Sequence, residues 1–80
     1  MKDLQLMETV VATVNKPDDQ ILAGDIGTIV DVYTQMSIAY EVEFSNADGS
    51  VRTLATLAPD QIRRLSPADI LTTRQLQSAG

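Results

Sequence analysis

The residues of this chain that could do chemistry are its carboxylates. Asp and Glu number 11, against 6 Lys and Arg, and there is no His and no Cys. A Ser–His or Cys–His nucleophile pair and a zinc site with the usual ligands are therefore excluded. Glu41 with Glu43, and Asp25 with Asp31, are spaced to share a strand face, where paired carboxylates can act in acid–base catalysis. Because nothing in the sequence predicts a pocket around them, a solvated strand face is the favoured interpretation.

A second group of acids, Asp18, Asp19 and Asp25, could hold a hard cation loosely. These residues lack the ligand spacing of a calcium loop, so a role in forming a turn is favoured. The glycines Gly24 and Gly27 open a strand and lack a following Gly-Lys-Ser/Thr, so they do not predict a phosphate-binding loop. We therefore expect no catalytic, cofactor-binding or metal-ligating residues and a protein that is not an enzyme.

The excess of acids restricts the classes of partner. The formal net charge is −5, and the six basic residues are scattered along the chain. Nucleic acids and anionic membrane surfaces attract basic stripes, so both partners are disfavoured. No apolar run approaches the roughly 20 residues of a membrane span, and residues 1–5 lack the layout of a secretory signal. With no cysteine for disulfides, the predicted location is the cytoplasm.

Short strands are the elements that would position these side chains. Residues 23–33 form the centre, where Gly24 and Gly27 shape the entry into a β-branched run that ends at Tyr33. Turn-forming clusters separate this run from the other apolar segments, and Asp48-Gly49 is a strong hairpin signal. Besides the central strand, the pattern predicts strands over 4–14, 38–44, 51–57 and 62–65, with a 3₁₀ turn over 58–61.

Five short strands with turn-rich connections predict an all-β domain over residues 4–65, a small SH3-like and partly open barrel. Residues 66–80 are a C-terminal tail. Ser66, Pro67 and Asp69 have the pattern of a helix start, so a short helix could follow over residues 70–76. Isolated helices of this length are marginal in water, and we expect the tail to be either mobile or docked on a partner.

The alternation of side chains predicts which face of each strand is buried. Tyr40, Val42 and Phe44 should face the core, and Glu41 and Glu43 should face solvent. In the next strand, Val51, Thr53, Ala55 and Leu57 should share one side.

The sequence leaves three placements open: the partner of Arg52, the buried residue of the first loop, and the face that Tyr33 joins. Arg52 could pair across the strands with Glu41 or Glu43. Ile21 or Leu22 should lie under the sheet. A bulge at Ile29 or Val30 would change the face that Tyr33 joins.

Four segments in order carry a resemblance to a family. Residues 24–33, residues 39–44, and Ala47-Asp48-Gly49 followed by Thr56-Leu57 resemble the DUF4926 family of small bacterial proteins, common in cyanobacteria. The resemblance covers roughly residues 11–65. It implies a stand-alone SH3-like module without established activity, which in some members lies beside a small partner protein in a toxin–antitoxin-like arrangement. Residues 24–33 alone also resemble, more weakly, the KOW motif of ribosomal and transcription-elongation proteins.

Two functions follow as hypotheses. The first is a non-catalytic module that binds a basic protein partner, either as an antitoxin-like inhibitor or as an accessory subunit. The second is an RNA- or ribosome-associated element, on the strength of the KOW-like stretch. An open barrel also leaves edge strands that could pair with a second copy. The side chains expected to contact a protein partner are Tyr33, Met36, Glu41, Glu43, Arg63 and Arg64.

Overall fold

In the computed structural model, which describes residues 4–69, five strands form one antiparallel sheet. The strands are β1 (Thr9–Ala12), β2 (Ile26–Tyr33), β3 (Ala39–Ser45), β4 (Val51–Leu57) and β5 (Ile62–Arg64). Their order across the sheet is β4-β3-β2-β1-β5, and 3₁₀ turns occupy Pro17–Asp19 and Pro59–Gln61. The predicted all-β fold is confirmed, because a single open sheet of five short antiparallel strands is consistent with a small, partly open barrel.

The core lies on one face of this sheet. In β3, Tyr40, Val42 and Phe44 are buried while Glu41 and Glu43 are half-buried on the opposite face, as the alternation predicted. We call that opposite side the outer face. The other members of the core come from all the remaining strands and from one loop: Val10, Ala12, Ile21, Ile29, Ala55, Leu57 and Ile62.

Strand β1 is shorter than predicted. The predicted strand over residues 4–14 is reduced to Thr9–Ala12, because Met7 has a left-handed backbone with φ of 69° and interrupts the extended chain. The Met7 N–H donates to the Ile29 carbonyl at 2.7 Å, so the segment before β1 still lies beside β2. The last three residues of β1 are buried, so this strand is covered on both faces.

Gly27 lets strands β2 and β3 approach closely. A Cβ atom at this position would lie 2.7 Å from Cγ1 of Val42 and 2.9 Å from the Glu43 carbonyl oxygen. Both distances are shorter than van der Waals contact, so only a residue without a side chain fits at Gly27.

A bulge in β2 decides which face Tyr33 joins. Ile29 lies opposite Val42, but the next paired residue is Asp31, which lies opposite Glu41. Val30 is therefore the extra residue, and the alternation shifts by one position after it. Asp31 and Tyr33 consequently join Glu41 on the outer face.

The loop between β1 and β2 contributes to the core through Ile21, which is fully buried, whereas Leu22 is exposed. Main-chain hydrogen bonds in both directions between Lys16 and Ile21, at 2.8 and 3.1 Å, close this loop. The loop ends at Asp25, whose carboxylate binds the Arg52 guanidinium of β4 at 2.9 Å.

The predicted pairing of Arg52 with Glu41 or Glu43 is therefore wrong. Thr53 lies opposite Phe44 and Val51 lies opposite Ser45, so Arg52 is an extra residue that faces no β3 residue directly. The same irregularity separates Val51 from the side that it was expected to share with Ala55 and Leu57, and its side chain is exposed.

The end of the described chain agrees with the predicted helix start. Ile62 is buried, and β5 ends at Arg64, one residue earlier than predicted. Residues 67–69 are helical. The Ser66 N–H donates to the Asp69 carboxylate at 2.8 Å, which satisfies one of the free donors of the first helical turn. The helix predicted over residues 70–76 lies outside the described residues.

Candidate partner-binding surface

Three carboxylates lie together on the outer face of β2 and β3. Asp31 is directly opposite Glu41 in the ladder, and Glu43 follows two residues later on the same side of β3. We call Asp31, Glu41 and Glu43 the acidic face. Tyr33 lies on the same side of the sheet, opposite Ala39. The sequence-predicted contact residues Tyr33, Glu41 and Glu43 are therefore brought onto one surface.

The ionisation of Tyr33 reflects this arrangement. Partial loss of hydration raises the pKa of its phenol above the ordinary value, and the negative charges of Glu41 and Asp31 raise that pKa further. The side chain is nevertheless 42% exposed. Tyr33 thus offers a neutral, accessible ring at the edge of the acidic face.

No basic side chain of residues 4–69 neutralises the acidic face. The ion pairs of this part of the chain join Lys16 to Asp19, Arg52 to Asp25, Arg63 to Asp69 and Arg64 to Glu8. Glu41 accepts a hydrogen bond from the Thr56 hydroxyl at 2.6 Å, and Asp31 accepts one from the Val32 N–H at 2.8 Å. These neutral donors leave both carboxylate charges uncompensated, so the surface attracts cations.

Met36 lies at the tip of the hairpin that joins β2 to β3. Its backbone is left-handed, with φ of 66°, and the Ser37 N–H donates to the Gln35 carbonyl at 2.7 Å. This tight three-residue turn leaves Met36 completely exposed, with Ile38 partly exposed beside it. The hairpin tip, which is residues 34–38, thus adds an adaptable apolar contact next to the acidic face.

Arg63 and Arg64 lie elsewhere. They belong to β5, which is separated from β2 by β1, so the structure does not bring them to the acidic face. The two terminal nitrogens of the Arg63 guanidinium, Nη1 and Nη2, donate to the Asp69 carboxylate at 2.8 Å, and these bonds hold the pKa of Asp69 well below its usual range. Arg64 likewise lowers the pKa of Glu8 through hydrogen bonds. A contact between either arginine and a partner stays a prediction.

The other carboxylates singled out by their spacing do not form a common site. Asp19 pairs with Lys16 at 3.7 Å, and Asp25 pairs with Arg52. The bulge at Val30 ends the alternation that would have placed Asp25 and Asp31 on the same face, so that predicted carboxylate pair is wrong. Within residues 4–69 there is no group of three such side chains close enough to hold a metal ion.

By its sheet, the protein is a small all-β domain of the open-barrel type. A family model described as a domain of unknown function, DUF4926, matches residues 6–64, and the chain belongs to this family. The predicted family is thereby confirmed, whereas the likeness of residues 24–33 to the KOW motif stays a prediction. No curated protein and no solved structure matches the chain.

No helix in the described part of the chain is long and apolar enough to cross a bilayer.

Proposed function

We propose that the protein is a non-catalytic interaction module that binds a basic segment of a protein partner through its acidic face. The observation that carries the proposal is that the basic side chains of the described residues are paired while three carboxylates are not. The four basic side chains of residues 4–69 are all held in ion pairs, while Asp31, Glu41 and Glu43 face no cation. A partner rich in lysine or arginine would supply the missing charge and would be steered toward this surface.

The apolar side chains beside the acidic face give the partner a second kind of contact. Tyr33 and Met36 are exposed at the same end of the sheet as Asp31 and Glu41. Charged contacts alone contribute little at an exposed surface, whereas an aromatic ring or a methionine can bury apolar area in a partner. The module would act as an antitoxin-like inhibitor or as an accessory subunit, in the cytoplasm.

The RNA-associated alternative has less support. RNA binding requires basic side chains that are available to phosphates. In the described part of the chain the basic side chains form ion pairs with carboxylates of the same domain, and the outer face of β2 and β3 carries the acidic face.

The proposal can be tested by affinity purification of the tagged protein from its native cell. The test variant is E41Q/E43Q, and D18N/D60N is the matched control, because it removes two negative charges from exposed positions away from the acidic face. We expect one stoichiometric partner with an excess of lysine and arginine, lost from E41Q/E43Q and retained by D18N/D60N. Recovery of no protein, or of a protein that binds all three forms equally, would contradict the proposal; recovery of RNA would favour the alternative.

A further inference from the structure

Strand β4 is an edge strand, and its main chain is unpaired on the side away from β3. It pairs only with β3. No residue of the described chain outside β3 makes a hydrogen bond to the main chain of β4. The 3₁₀ turn Pro17–Asp19 comes close to β4 but does not bond to its main chain. A row of free N–H and C=O groups along a strand of seven residues is a template for another strand.

Apart from the irregularity at Arg52, the usual devices that protect an edge strand are missing from β4. The segment Val51–Leu57 contains no lysine, no proline and no glycine. Its one charged side chain, Arg52, is held by Asp25 at 2.9 Å. Leu54, at the centre of the strand, is 52% exposed on the outer face.

The opposite edge of the sheet is better protected. Strand β5 has only three residues. The Arg63 guanidinium donates to the Arg64 carbonyl at 3.3 Å and so occupies part of the main chain. The contrast identifies β4 as the edge that is open to addition of a strand.

We propose that two copies of this chain associate by antiparallel pairing of their β4 strands about Leu54. This register is self-complementary. It places Thr53 of each copy opposite Ala55 of the other, and the two Leu54 side chains meet on the two-fold axis. No like charges face each other across the new ladder, and the exposed Leu54 is removed from water. The inference is independent of the proposed partner.

The oligomeric state of the purified full chain tests this inference. Sedimentation velocity over a range of concentrations should give a dimer that dissociates on dilution. Leu54→Lys should weaken this dimer by roughly tenfold or more, because two ammonium groups would then lie directly opposite each other. The fold should be retained, since the introduced ammonium group would lie opposite Glu43 within its own sheet. Leu22→Lys is the matched control, because Leu22 is 59% exposed and lies outside β4.

Oxidative cross-linking gives a second measurement that does not depend on the lysine variant. The chain has no cysteine, so Leu54→Cys carries a single thiol. Residues that face each other across an antiparallel pair have Cα atoms about 4.5–5.5 Å apart, which lies within the range that a disulfide spans. We expect Leu54→Cys to form a covalent dimer and Leu22→Cys to remain monomeric. A wild-type monomer at all concentrations, a dimer unchanged by Leu54→Lys, or no preferential cross-link at Leu54→Cys would overturn the inference.

Discussion

Replacement of Gly27 by alanine tests the closest contact between strands β2 and β3. The new Cβ atom would lie 2.7 Å from Cγ1 of Val42, 2.9 Å from the Glu43 carbonyl oxygen and 3.0 Å from Cδ1 of Phe44. Optimal contacts between carbon atoms lie near 3.5–4.0 Å, so all three are repulsive. Val42 is fully buried, so its methyl has little room to move, and the Glu43 oxygen belongs to the ladder and moves only if the strands separate.

The magnitude follows from this fixed neighbour. Overpacking a well-packed site costs typically about 1–3 kcal/mol, and a collision with the main chain places Gly27→Ala near the upper end. A loss of about 3 kcal/mol lowers the melting temperature of a domain of this size by roughly 12–24 °C. Gly27→Val should cost more, because two further methyl groups enter the same space, and we expect it to prevent folding.

Urea denaturation followed by circular dichroism measures the loss directly. Val42→Ala removes one of the three colliding atoms, so Gly27→Ala should be less damaging in that background than in the wild type. The coupling between the two substitutions should be about 1 kcal/mol or more. If the urea midpoint of Gly27→Ala equals that of the wild type, then close approach of β2 and β3 at Gly27 does not restrict this position.

Three other perturbations test the core and the electrostatics. Phe44→Ala should lower the free energy of unfolding by about 3–5 kcal/mol in urea denaturation, because the ring is fully buried; a loss below about 1 kcal/mol would contradict its place in the core. The lowered pKa of Asp69, caused mainly by Arg63, means that this pair stabilises the fold above the unfolded pKa of about 4, and that the stability is lost as the pH falls through the folded pKa. The melting temperature of Asp69→Asn should therefore be furthest below that of the wild type at neutral pH and converge with it in acid; a constant gap would contradict this. In an ultraviolet titration, Glu41→Gln should lower the raised pKa of Tyr33 but not restore it fully, because dehydration is the larger cause. An unchanged pKa would show that the charge of Glu41 does not act on the Tyr33 phenol.

Much of the sheet could be predicted from local patterns. The alternation through Tyr40, Val42 and Phe44 has the two-residue period of a half-buried strand, and the structure buries these residues. The β3–β4 hairpin follows from Asp48-Gly49, and strand β4 has the predicted bounds. These features depend on neighbours in sequence, which is why the sequence shows them.

The features that could not be predicted depend on long-range register. A bulge at Ile29 or Val30 is open from the sequence, and only the matching of Ile29 and Asp31 to their partners in β3 places it at Val30. The ion pair between Glu8 and Arg64 joins residues that are 56 positions apart, and no local pattern relates them. The acidic face has the same origin, because Asp31 meets Glu41 only after the bulge has shifted the alternation of β2.

The most direct test of the proposed function is the dissociation constant of the recovered partner, measured for the wild type and for E41Q/E43Q. If the acidic face binds the partner, the double substitution raises Kd by about tenfold or more, and added salt weakens binding by the wild type more than binding by the variant. The control D18N/D60N should bind like the wild type. Equal dissociation constants for the wild type and E41Q/E43Q would contradict binding through the acidic face.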